Sequence, residues 1–183
     1  QNDSDSPHAV TQKIETYVRN GEPISADLAL TVEAFAFQYR TGESSKKLER
    51  ARILAAASSG QFDKAISLLL AYDLPNIKNS EISVPDHVFS ELTAKADSIL
   101  FLEHTLKDNE MLQNSASDET KYMVANRLLK LGFAMEANRL LTSSKPSDEL
   151  ALLSARINIK LNKPTEALAA LENLQGPDVE VLR

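Results

Sequence analysis

The stretch from Ser44 to Tyr72 constrains the fold of this chain most, because its pattern predicts two short helices joined by a tight turn. Apolar residues recur at three- and four-residue steps before Gly60 and again after it, which is the spacing of one helix face. Similar units return at Asp118–Ser143 and Asp148–Leu174. A hairpin that cannot bury its own apolar stripe needs neighbours, so the repetition predicts a stacked helical array.

The positions of glycine and proline support this layout, because every one of them falls at a proposed helix end. The five glycines are Gly21, Gly42, Gly60, Gly132 and Gly176, and the seven prolines are Pro7, Pro23, Pro75, Pro85, Pro146, Pro164 and Pro177. Composition agrees, since alanine and leucine dominate an apolar fraction of 43% and only 5% of residues are aromatic. The predicted fold class is all-α.

Further helices are predicted outside the three hairpins. One runs from His8 to Arg19, and a second starts at Ser25 or Asp27 and is ended by Thr41-Gly42. The second is more densely apolar than an exposed helix, so we expect it to be buried on two sides. A long helix is predicted for residues 85–106, followed by a short one near residues 109–113.

The predicted domain organisation is simple. Residues 1–7 are polar and acidic and are expected to form a disordered tail, while residues 8–183 form a single helical-repeat domain. Residues 73–85 contain two prolines and no helical period, so they form either a hinge or a functional surface loop. The closing GPDVEVLR resembles a loop and the start of another helix, so we expect the array to continue beyond residue 183.

The three hairpin turns align without gaps, as GQFDKAI from Gly60, GFAMEAN from Gly132 and NKPTEAL from Asn162. Each places an alanine five residues after the turn residue, where a small side chain lets two helices approach closely. These alanines are Ala65, Ala137 and Ala167. The pattern resembles the tetratricopeptide repeat, over residues 44–72 and 118–174. This resemblance implies a right-handed α-solenoid of stacked antiparallel helical hairpins, here irregularly spaced.

The resemblance also implies a concave ligand groove along one flank of the first helix in each hairpin. On that flank lie Ile53, Ala56, Tyr122, Leu129, Ala155, Asn158 and Ile159. Small and apolar walls suit a helical or extended segment of another protein. The alternative left open is that the same residues pack against neighbouring helices of the array.

Several classes of site are disfavoured by the residues present. The net charge of −6 argues against nucleic acid, because phosphate neutralisation needs clustered Lys and Arg. The lack of cysteine excludes disulfides, thiol nucleophiles and Cys-ligated zinc, but fits a cytoplasmic or an exported, periplasmic location equally. The longest apolar run, Ala65–Tyr72, is too short to span a membrane, so a soluble chain is expected.

Histidines and glycines offer little catalytic or cofactor chemistry. His8, His87 and His104 lie far apart, and the glycines are scattered singly rather than clustered as in a phosphate-binding loop. His87 and Glu91 share a helix face and could provide half a metal site, although a solvated polar face is the simpler interpretation. No cofactor is expected.

The sequence therefore predicts a non-catalytic scaffold that binds a protein or peptide segment in a concave groove. Two alternatives stay open. One is a structural spacer within a longer protein, and the other is a small α-helical enzyme or carrier. The oligomeric state and the identity of the partner are not predicted.

Overall fold

The computed structural model describes residues 6–71, 82–172 and 174, and the regular structure of this part is entirely helical. The all-α prediction is confirmed. The described residues contain eleven helices: α1 Pro7–Asn20, α2 Ala26–Gln38, α3 Glu43–Ser58, α4 Phe62–Ala71, α5 Val84–Lys95, α6 Ser98–Lys107, α7 Asn109–Ser115, α8 Asp118–Lys130, α9 Ala134–Leu141, α10 Asp148–Lys160 and α11 Pro164–Ala170.

The chain divides into two compact units, Gln1–Ala96 and Asp97–Arg183. The boundary falls inside the segment for which the sequence predicted one long helix, and that prediction is wrong. Ala96 is extended, with ψ 149°, and Asp97 starts α6 by accepting a hydrogen bond from the Leu100 amide at 2.9 Å. An N-cap aspartate favours a new helix start over continuation of the old helix.

In the first unit, α3 is the central helix and packs against α1, α2, α4 and α5. Residues 53–57 of α3 are all buried, because their mostly small side chains let several helices approach at once. Arg50 of α3 is also buried, and its Nε donates to Glu15 of α1 at 2.8 Å. The same guanidinium donates to the carbonyl of Ile82, so it ties α3 to α1 and to the residues that precede α5.

Helix α2 packs against α3 and is less buried than the sequence predicted. It buries Leu28, Val32 and Ala36, whereas Leu30 and Phe37 are 67% and 72% exposed. The predicted burial on two sides is therefore wrong. Its buried residues form a single stripe, and among the described helices α2 packs mainly against α1 and α3.

In the second unit, α8 packs against α9, α9 against α10, and α10 against α11, while α7 also contacts α9. The fully buried side chains in these helices include Leu112, Leu128, Leu140 and Ile157. The three hairpins predicted from the sequence correspond to the packed pairs α3–α4, α8–α9 and α10–α11.

The three hairpin turns share one backbone geometry. Gly60, Gly132 and Asn162 are left-handed, with φ of 78°, 92° and 57°. In each turn this residue donates to the carbonyl three residues back at 3.1 Å, and the next residue donates to the carbonyl five residues back at 2.8–2.9 Å. That pair of bonds is a Schellman motif, which satisfies carbonyls at the helix end. The alanines five residues later are buried, so the predicted alignment holds at this level, while family membership stays a prediction.

Some predicted boundaries need adjustment. Helix α1 begins at Pro7, capped by the hydroxyl of Ser6, so it takes one residue from the predicted tail. Residues 1–5, most of the predicted 73–85 loop and the closing segment from Gln175 lie outside the described residues. Within the described ranges, glycine and proline fall at helix ends or between helices. No helix there is long and apolar enough to cross a membrane.

Candidate functional site

The predicted groove residues occupy two kinds of position. In the first unit Ile53 and Ala56 are buried within the contacts of α3, and in the second unit Tyr122 and Ala155 are also buried. For these four residues the burial matches the alternative that the sequence left open, packing against neighbouring helices. Their side chains are not available as surface anchors.

The other three predicted groove residues lie closer to the surface of the second unit. Leu129 of α8 and Asn158 of α10 are half-buried, and Ile159 of α10 is 44% exposed. Helices α8 and α10 are in contact, so the structure brings this reduced set into one unit. It contains a single strongly exposed apolar side chain.

A more pronounced apolar surface lies on α2. Leu30 and Phe37 are its two large exposed apolar side chains, and they are seven residues apart, which places them two turns apart on one side of the helix. The guanidinium of Arg40 lies 4.1 Å from the centre of the Phe37 ring, and its Nε donates to the Phe37 carbonyl at 3.2 Å. We call Leu30, Phe37 and Arg40 the α2 face.

A cavity of about 390 Å³ lies beside the α2 face, and we call it the α2 groove. Its α2 side is lined by Glu33, Ala36, Phe37 and Arg40. Its α3 side is lined by Ser45, Glu49 and Arg52. The groove thus joins an exposed aromatic ring to a set of charged side chains.

Three charged side chains of the lining, Glu33, Glu49 and Arg52, form a connected network with Lys64, which lies outside the lining. Arg52 binds Glu33 and Glu49, each with a nitrogen to oxygen distance of 2.9 Å. Lys64 of α4 binds the second oxygen of Glu33 at 2.7 Å. The network therefore fixes the α3 wall of the groove and holds α2, α3 and α4 together.

The pKa shifts of Glu33 and Arg52 favour the charged forms of these two groups. Burial alone raises the pKa of Glu33, but hydrogen bonds from Arg52 and Lys64 outweigh it and lower that pKa below its ordinary value. Burial acts to lower the pKa of Arg52, yet the bonds to Glu33 and Glu49 raise it overall. Glu33 and Arg52 are therefore ionised near neutral pH.

Outside the groove, Ser58 and His87 form a contact of the kind used in nucleophilic catalysis. The Ser58 oxygen lies 2.8 Å from Nε2 of His87. Acyl transfer also needs a substrate cavity and donors for the developing oxyanion, and neither residue lines the α2 groove. We interpret the pair as a link between α3 and α5.

The predicted half-site for a metal, His87 with Glu91, gains no further ligand in the described part of the chain. No group of three or more His, Cys, Asp or Glu side chains there is arranged to hold a metal ion. Glu91 instead contacts Lys95, one turn further along α5.

Sequence reasoning did not find the α2 groove, although one signal was present. Leu30 and Phe37 fall outside the stripe formed by Leu28, Val32 and Ala36. An excess of apolar residues out of phase with the buried stripe indicates either a second buried side or an exposed apolar surface. The sequence alone does not distinguish these two outcomes.

Comparisons of this chain with protein families, with curated proteins and with solved structures find no match. Function has to be inferred from the surfaces of the molecule. The α2 face and the α2 groove together combine exposed apolar side chains, a cavity and a stacked arginine.

Proposed function

We propose that this chain is a non-catalytic interaction module that binds a helical or extended segment of another protein. We place the docking surface at the α2 face and the α2 groove. The observation that carries the proposal is the exposure of Leu30 and Phe37, 67% and 72%, at a two-turn spacing on a helix whose other side is packed.

The energetics of such a surface favour binding. Fully burying a Phe or Leu side chain contributes roughly 1.5–3 kcal/mol. Aromatic and arginine side chains also contribute a large share of the energy at protein interfaces, and here Phe37 and Arg40 are in contact. An amphipathic helix laid along α2 would cover both apolar side chains with anchors two turns apart.

A tetratricopeptide-like concave groove remains the second candidate location, and the exposed side chain of Ile159 favours it. In that arrangement the partner would lie along α8 and α10 of the second unit. The two locations predict different effects of substitution, so one experiment separates them.

The test is a selection of displayed random peptides, about four helical turns long, on the full chain. Affinity of the enriched peptides is then measured for the wild type, for Phe37→Ser and for Leu30→Ser. Met135→Ser is the matched control, because Met135 is 63% exposed in the second unit. We expect Phe37→Ser to weaken binding about tenfold or more, with the control unchanged.

Thermal melting of the same variants separates binding from folding. All three residues are exposed, so each substitution should leave the free energy of unfolding within about 0.5 kcal/mol of the wild type. Ile159→Ser is measured alongside these variants. If it abolishes binding and Phe37→Ser does not, the concave groove is the site. A selection that enriches no peptide would favour the structural spacer.

A further inference from the structure

Arg40 differs from the other charged side chains that line the α2 groove. Glu33 and Glu49 bring two negative charges, and Arg52 and Lys64 bring two positive charges that pair with them. Arg40 forms no ion pair with any residue that the structure describes. The lining carries two acidic and two basic side chains, and Arg40, at the end of the α2 face, is the charged one among them that is not paired with a described residue.

The guanidinium of Arg40 is held in place before any partner arrives. It stacks on the Phe37 ring, and its Nε donates to the Phe37 carbonyl. The Ser45 hydroxyl donates to the Arg40 carbonyl at 3.1 Å, which fixes the backbone of this residue against α3. Neither terminal nitrogen of the guanidinium donates to a residue that the structure describes, so both can donate a pair of parallel hydrogen bonds, a geometry that matches a carboxylate.

We infer that Arg40 recognises the side-chain carboxylate of an Asp or Glu in an amphipathic helix bound along α2. This inference rests on the proposed function, because it names the chemistry of the same partner. The helix places two apolar anchors on Leu30 and Phe37, and its acidic residue lies about one turn beyond the anchor on Phe37, on the Arg40 side. A basic residue at that position would face Arg40 with like charge and be rejected.

Arg40 is itself exposed, so a helix lying along α2 passes it without having to end there. For this reason we assign the carboxylate to a side chain rather than to a chain terminus. Binding then requires the two apolar anchors and the acidic residue on one side of the partner helix. The acidic residue is three or four residues from the nearer anchor.

A charge-swap experiment tests the inference with peptides taken from the display selection. We expect enriched peptides to carry Asp or Glu three or four residues from a terminal apolar anchor, on the side away from the other anchor. Arg40→Glu should weaken such a peptide about tenfold or more, and changing its acidic residue to Lys should weaken binding to the wild type similarly. Combining the two changes should restore most of the affinity.

Lys47→Glu is the matched control for net charge, because Lys47 is an exposed residue of α3 that is absent from the groove lining. It should change affinity by less than about twofold. Melting curves must show that Arg40→Glu and Lys47→Glu are both folded. If affinity is restored when Arg40→Glu is combined with the Lys-substituted peptide, a purely structural role of Arg40 cannot explain the result.

The remaining outcomes are distinguishable. Binding that needs Phe37 but is unaffected by Arg40→Glu overturns carboxylate recognition and leaves the docking surface in place. The peptide's C-terminal carboxylate can be removed by amidation. If the amidated peptide no longer distinguishes Arg40→Glu from the wild type, Arg40 recognises a chain end, which overturns the assignment to a side chain of a bound helix. Peptides that bind without Phe37 overturn the proposed function itself.

Discussion

The hydroxyl oxygen of Ser58 lies 2.8 Å from Nε2 of His87, and this hydrogen bond joins the last turn of α3 to the first turn of α5. Burial lowers the pKa of His87 below its ordinary value of 6.5, although the charge of Glu91 opposes that shift. The nearby charge of Lys95 lowers the pKa further. The imidazole is therefore neutral in the folded protein at neutral pH.

This depressed pKa predicts that the first unit becomes less stable in mild acid. Below about pH 6.5 the unfolded chain binds a proton on His87 that the folded chain resists, so the free energy of unfolding falls with pH. The decline ends once the pH drops below the folded-state pKa. His87→Gln should show a smaller decline than the wild type in denaturant unfolding between about pH 8 and pH 5.

The comparison with His87→Gln isolates this one residue, because all other titrating groups are shared by the two proteins. Equal declines for the wild type and His87→Gln would contradict the prediction. Equal stability at about pH 8 would also show that glutamine replaces the imidazole without disturbing the contact between α3 and α5.

Burial of Tyr122 leads to a different kind of prediction. Its side chain is 4% exposed, and its hydroxyl lies 3.0 Å from the Ser147 hydroxyl at the start of α10. Tyr122→Ala should lower the free energy of unfolding of the second unit by about 3 kcal/mol, because it leaves a cavity between helices. Tyr122→Phe removes only the hydrogen bond and should cost about 1 kcal/mol.

Ile159→Ala is the control for Tyr122, since Ile159 is one of the seven predicted groove residues but is 44% exposed. It should change the free energy of unfolding by less than about 0.5 kcal/mol. Urea unfolding of the three variants measures these differences. A Tyr122→Ala protein with wild-type stability would place Tyr122 at a surface rather than in the core.

Local signals explain which parts of the fold could be predicted from the sequence. The hairpin turns depend on residue type, because glycine and asparagine tolerate the left-handed conformation that ends a helix. The break at Ala96 was missed for a related reason. Apolar spacing continues through it, and only the capping aspartate, Asp97, indicates a new start.

The α2 groove is built partly from local contacts and partly from contacts between residues that are distant in sequence, and only the local ones could be predicted. The pair between Arg52 and Glu49 is three residues apart and visible on a helical wheel. The pair between Arg52 and Glu33 joins two helices, so it needs the tertiary structure. Exposure of Phe37 likewise depends on how many helices pack around α2, which the apolar pattern does not specify.

The last prediction concerns the left-handed residues of the hairpin turns. A Cβ atom added to Gly132 would meet no atom within 4 Å, so the cost of Gly132→Ala comes from backbone conformation alone. With φ at 92°, that cost should be about 1 kcal/mol in the free energy of unfolding. Asn162 has the same left-handed conformation, with φ at 57°, which costs asparagine more than glycine. Asn162→Gly should therefore raise the free energy of unfolding by about 0.5 kcal/mol.

A glycine placed inside a helix of the α10–α11 hairpin is the control, because it should destabilise the protein whereas Asn162→Gly should stabilise it. Ala151 lies within helix α10, where glycine adds unfolded-state freedom and should lower the free energy of unfolding by about 0.5–1 kcal/mol. Denaturant unfolding of Gly132→Ala, Asn162→Gly and Ala151→Gly shows whether each substitution raises or lowers the free energy of unfolding. A stabilising Gly132→Ala, or an Asn162→Gly that destabilises as Ala151→Gly does, would show that left-handed turn geometry does not set the stability of these hairpins.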